Sequence, residues 1–148
     1  MADSPTSSDS TGPHDPGAAV PRPSSRAQAF RETLFELIRL DGVRGGLIVT
    51  PDGLVITSEL PPRFPVEALA ALAATLGREL ELGASRLDRG AFRTALFSAD
   101  DGTVFVGGSP VGYVTLVADR NVNMEAVRTA LGRAVDRLRG TWRTAGAA

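Results

Sequence analysis

The spacing of hydrophobic residues changes character along the chain, and each change marks an element. Ala27, Phe30, Leu34, Leu37 and Ile38 recur at steps of three and four, while Arg31, Glu32, Glu36 and Arg39 take the other side. That period predicts an amphipathic helix over about residues 26–40. Ser25 and Gln28 stand at capping-box spacing ahead of it, and LDGVRGG ends it. The runs GLIVT and LVITS then flank Pro51, Asp52 and Gly53 and read as a hairpin. Pro51 pre-sets φ, Asp52 can accept from a later backbone N–H, and Gly53 takes the positive φ that closes the turn. Geometry thus accounts for Asp52 without chemistry.

Beyond the loop ELPPRF, Pro65 suits a first helical turn and Glu67 complements its positive end. VEALAALAATLGRELEL predicts a second helix that stops at Gly83. Leu69, Leu72, Leu76 and Leu80 form one stripe, expected against a sheet. Val66, Ala70, Ala73, Ala74 and Gly77 form a strip of small side chains beside it. Alanine favours helix in any setting, which is one explanation of that strip. The other is close approach by the same helix of a second copy, since an interior glycine otherwise costs ~1 kcal/mol.

Three further β-rich runs follow: AFRTALFSA, TVFVGG and GYVTLVA, separated by DDG and SPV. Asn123 is a good N-cap for a last helix, with Glu125 in its first turn. Met124, Val127, Leu131, Val135, Leu138 and Trp142 make its stripe. The order is α-β-β-α-β-β-β-α, and short connections imply antiparallel neighbours. Leu47 and Val49 lie on one face of their strand and Ile48 on the other; Tyr113 and Val117 oppose Val114 and Leu116. Strands apolar on both faces need cover on both. The expected fold is an α/β sandwich, a five-stranded antiparallel sheet between helices.

Composition narrows the chemistry. The opening residues 1–23, rich in Ser, Pro, Asp and Gly, hold too few apolar side chains to offset ordering entropy, and are expected to be a disordered tail. They lack the basic start and apolar core of a signal peptide. No apolar run reaches the ~18 residues of a membrane span. The domain is expected over 24–143, with 144–148 a disordered end. The chain has no Cys and no Lys, and its single His, His14, lies in the opening segment. Cys–His and Ser–His pairs, thiolate metal sites, a phosphate-loop lysine and a Schiff base are therefore excluded from the domain. A formal net charge of −1 gives no electrostatic case for nucleic acid or membrane binding. A cytoplasmic protein without cofactor is expected. A hydrolase would have to use Glu59, Asp100, Asp101 and Asp119, all in or beside turns.

The hairpin GVRGGLIVTPDGLVI, the Leu/Ala-rich helix after it, and the closing VTLVADRNVNMEAVRTALGRAVDRL resemble the Roadblock / dynein light-chain superfamily. The resemblance spans about residues 26–138. It implies a module that is not an enzyme, with middle helices side by side and third strands paired across a homodimer. It implies a bacterial Ras-like small GTPase as partner, whose hydrolysis such modules stimulate by positioning the GTPase's own residues. A signalling or assembly scaffold without GTPase contact is the alternative. On that resemblance the dimer contact falls on Val66, Ala70, Ala73, Ala74 and Gly77 of the second helix and on Phe92, Thr94 and Leu96 of the third strand. The partner surface falls on Glu67, Arg78 and Glu81, with Arg63 of the ELPPRF loop.

Overall fold

The computed structural model describes residues 25–147, with side chains described as far as residue 140. Among the described residues the elements run α1 (Ser25–Ile38), β1 (Val43–Val49), β2 (Val55–Glu59), α2 (Val66–Arg86), β3 (Thr94–Ala99), β4 (Gly102–Ser109), β5 (Gly112–Ala118) and α3 (Met124–Ala147). All neighbouring strands are antiparallel, in the order β2-β1-β5-β4-β3. The expected element order and sandwich are both present. The expected disordered tail lies outside the described residues, and α3 continues through Ala147, past the expected domain end at residue 143.

Side-chain alternation along the strands builds two cores. Ile48, Phe105, Val114 and Leu116 face α1 and α3, meeting Phe30, Leu34, Leu37, Val127, Leu131 and Val135. Leu47, Val49, Val106 and Tyr113 face α2. The middle strand β5 is buried on both sides, as apolar residues on both of its faces require. The stripe of α3 is buried from Val127 to Leu138, but Met124 at its start is exposed. Asn123 Oδ1 accepts from Ala126 N–H at 3.0 Å and caps α3. At α1 the Gln28 amide donates forward to Glu32 at 3.0 Å instead of turning back toward Ser25.

Two bulges bend the sheet at β1. Ile48 faces Thr57 while Val49 faces Val55, so Ile56 is an extra residue on β2. Val43 pairs with Ala118 and Gly45 with Val117, which leaves Arg44 out of the ladder. Arg44 then points sideways to Asp119, donating at 2.8 and 2.7 Å. This pair clamps the start of β1 to the end of β5, and the Arg44 bond holds the Asp119 carboxyl below its ordinary range.

The Thr115 hydroxyl is buried with no hydrogen-bond partner among the described residues. An unpaired buried hydroxyl costs on the order of 1 kcal/mol or more. Thr115→Val keeps the shape and removes the hydroxyl. It is expected to stabilise the fold by about 1 kcal/mol, read as a higher urea midpoint at unchanged slope.

Candidate functional site

The inner face of α2 is its small-residue strip. Ala70, Ala73, Ala74 and Gly77 are all buried against the chain's own sheet. A Cβ on Gly77 would lie 2.5 Å from the Tyr113 ring, so the glycine admits the only tyrosine of the chain. The Tyr113 hydroxyl donates to Glu81 at 2.7 Å. Burial, and secondarily the Glu81 carboxylate, push the tyrosine pKa well up. The expected arrangement, with leucines inward and small residues outward, is therefore corrected. Leu69 is buried and Leu76 and Leu80 flank the core half-buried, but Leu72 is 43% exposed. The small side chains serve contact within the chain, so Ala70, Ala73, Ala74 and Gly77 have no surface left for a twin helix. Val66 also packs against this core, half-buried. The helix continues through Gly83 to Arg86, because a glycine in an exposed helical stretch weakens helix without ending it.

On one flank of α2 lies the tip of the β1–β2 hairpin. Thr50 and Leu54 close the turn through their backbones at 2.9 Å, and Gly53 takes φ +94°. The Thr50 hydroxyl donates to Asp52 at 2.5 Å, which lowers the Asp52 pKa below the ordinary carboxylate range. Asp52 is thus a turn residue. Between the tip and the helix runs an open groove of about 260 Å³ lined by Asp52, Val55, Glu67, Ala71, Thr75 and Arg78. Arg78 donates to the Pro51 carbonyl and ties the helix to the tip. Of the expected partner-binding residues, Glu67 and Arg78 come together here. Glu81 is occupied by Tyr113, and Arg63 stands exposed in the preceding loop with φ +70°.

The opposite flank carries Leu69, Leu72, Leu76 and Leu80, one helical face apart from the groove residues. It overlooks the half of the sheet that α2 leaves open. Phe97 pairs with Val104, whose side chain belongs to the α2-side core, so Phe97 lies on that same face. Phe97 is 39% exposed; Ala95, Val104 and Val117 around it are half-buried. Sequence reasoning missed Leu72 and Phe97 as surface. The alternation in TALFSA, which sets Phe97 opposite Leu96, was the available signal.

The two sheet rims differ. β2 carries the bulge at Ile56, ends in Glu59 and runs on to Pro61 and Pro62. Those are features that discourage pairing by another strand. β3 has an unbroken register with β4 and no charge or proline within Thr94–Ala99. Thr94 and Leu96 lie in this rim, half-buried, and Leu96 turns toward α1 and α3. Phe92 is corrected: it precedes the strand and is buried under Gly108. Arg139 donates to the Phe92 carbonyl at 3.2 Å, and Arg93 bonds Asp136 at 2.6 and 3.1 Å, so α3 holds the entry to β3 in place. Glu59, Asp100, Asp101 and Asp119 do not converge: among the described residues, no group of three His, Cys, Asp or Glu could hold a metal ion. No described helix is long and apolar enough to cross a membrane.

A family model described as the Roadblock/LC7 domain matches residues 30–109. Two uncharacterized proteins of Methanocaldococcus jannaschii are 29% and 27% identical over 106 residues, covering 72% of this chain and 90% and 93% of their own. Among solved structures, a Roadblock/LC7 domain from Streptomyces avermitilis superposes with TM-score 0.65 at 19% identity, covering 76% of this chain and 96% of its own. Myxococcus xanthus MglB gives TM-score 0.70 at 15% identity, with coverage of 84% and 96%. The gliding protein MglB of Thermus thermophilus gives 0.60 at 20%, with coverage of 77% and 93%.

Gly77→Ala measures the inward face of α2. Helix propensity alone would favour alanine by ~1 kcal/mol, whereas overpacking a core costs about 1–3 kcal/mol. The Tyr113 ring is enclosed and cannot withdraw, so net destabilisation of about 1–2 kcal/mol is expected by urea unfolding. A stabilised variant would place the glycine away from the sheet.

Proposed function

The chain belongs to the Roadblock/LC7 domain family, and from that membership we propose that it is a non-enzymatic regulatory module, active as a homodimer, whose joined surface receives a Ras-like small GTPase. The carrying observation is the open half of the α2-side face. Its apolar side chains, Leu72, Leu76, Phe97 and Val104, adjoin an unguarded β3 rim. A second copy related by two-fold symmetry would lay its own α2 there and pair its β3 antiparallel to this one. The expected contact through α2 and β3 is kept, with the leucine flank replacing the small-residue strip.

Such a dimer would set two hairpin grooves on one side of a continuous sheet. Asp52, Glu67 and Arg78 supply mixed charge there, and Arg63 lies on the loop leading in. The likeness of the fold to the proteins MglB and MglC supports a GTPase-linked role. Since Arg78 already bonds the Pro51 carbonyl, any stimulation of hydrolysis would come from positioning the GTPase's own groups rather than from a donated arginine.

Phe97→Asp places a carboxylate where twin strands would meet. It is expected to weaken self-association, measured by sedimentation equilibrium, by about 100-fold, or ~2.7 kcal/mol. A wild-type chain that stays monomeric at high concentration defeats the dimer. For the partner, calorimetric titration with a Ras-like GTPase of the same genome, loaded with GDP or a GTP analogue, is expected to show binding to one state. Glu67→Arg with Arg78→Glu should reduce that binding while the dimer persists. Binding to neither state would leave the scaffold reading in its place.

A further inference from the structure

Where α3 passes the start of the β3 rim there is a basic groove of about 260 Å³, lined by Arg93, Thr94, Arg128, Gly132 and Arg133. Thr94 pairs with Gly107, on the side of the sheet where Leu131 and Val135 of α3 lie. Gly132 leaves the helix bare there, and a Cβ on it would stand 3.6 Å from the Arg93 guanidinium. Arg93 is paired with Asp136 and Arg128 with Glu125, but exposed Arg133 makes no ion pair among the described residues. At the far end of the same strand, Asp100 and Asp101 make the turn into β4. Both are exposed, and neither makes an ion pair among the described residues.

We propose that the Asp100–Asp101 turn of a second copy occupies this groove, and that its carboxylates, set against Arg93 and Arg133, fix the register in which the two β3 strands pair. The proposal rests on the dimer described above and deepens it. The Arg93 carbonyl accepts from Gly108 of β4 at 2.8 Å. By antiparallel alternation Ala95, Phe97 and Ala99 also turn their backbone groups to β4, and Thr94, Leu96 and Ser98 present theirs outward. Residues directly opposite each other share a face, so a two-fold axis normal to the sheet passes through a residue and not between two. Moving that axis by one residue slides the twin by two, about 7 Å. With the axis at Phe97, the second copy's Asp100 lies opposite Thr94, at the groove, and its Asp101 comes beside Arg93. With the axis at Leu96, that Asp100 is carried past the groove to buried Phe92; with the axis at Ser98, it stops at apolar Leu96. The Phe97 axis also brings the two Phe97 rings together on the α2 side, as a non-hydrogen-bonded pair, where cross-strand side chains are closest. Symmetry makes the charge contact twice.

Within one copy Asp100 stands six extended residues from Thr94, about 20 Å, so charges at Asp100 and Arg133 couple only between copies. In the full chain, Asp100→Arg and Arg133→Asp are each expected to weaken self-association about tenfold by sedimentation equilibrium at low salt. The double variant should return to within about threefold of the wild type. Both positions are exposed, and circular dichroism verifies that each variant is folded. The absence of cysteine allows an independent reading of the register. Chains carrying Ala95→Cys and chains carrying Ala99→Cys are mixed in equal amounts under reducing conditions and then oxidised. The Phe97 axis sets these two positions directly opposite each other, close enough for a disulfide, so the mixed product should dominate by mass spectrometry. Additive losses in the double variant, or a mixed disulfide at no more than the half that random pairing gives, overturn the proposal while leaving a dimer in place. A wild-type chain that stays monomeric overturns it together with the dimer.

Discussion

Five strands at about 4.8 Å span a face some 24 Å wide, and one helix covers only about 10 Å of it. The rest of the structure depends on that mismatch. α1 and α3 tile one face of the sheet between them, with both helices packed on each other and on the strands. The other face has α2 alone, over β1, β5 and β4, with Leu60 and Phe64 of the preceding loop filling in beside it. The strands nevertheless alternate apolar residues toward both faces as far as β3. A face so incompletely covered holds apolar surface that folding of a single copy does not remove from water, and its position is set by where α2 sits.

That position follows from one contact. Tyr113, on the central strand, stands too tall for any side chain above it, and Gly77 supplies the gap. The Tyr113–Glu81 bond and the Arg78–Pro51 bond then fix the helix along its length and across its width. Small residues draw the helix close to β1 and β5; the leucines are displaced to the flank. Close packing inside the molecule thereby produces the greasy shoulder outside it.

Much of this was readable beforehand. Apolar residues on both sides of GLIVT and GYVTLVA identified strands with both faces buried, and the short connections implied antiparallel neighbours. The faces of α1 and α3 were also legible, because each has a charged side opposite its apolar one. α2 was not, since leucines and alanines cover more than half its circumference and the period alone cannot choose between two apolar flanks. Tyr113 decides the matter, and it lies 36 residues beyond Gly77 in sequence. The pairs Arg44–Asp119 and Arg93–Asp136 were invisible for the same reason: surface charges of opposite sign are common, and only the fold brings these together. Asp52, by contrast, was correctly assigned to its turn from three adjacent residues.

The extra residue at Ile56 has a consequence for the size of any assembly. A sheet with two equivalent open borders is a monomer unit for a fibre, because each addition regenerates a border for the next. Here one border is buckled out of register and the other is straight. Strand-to-strand addition that begins at the straight border therefore leaves only buckled ones exposed, and growth terminates after a single step.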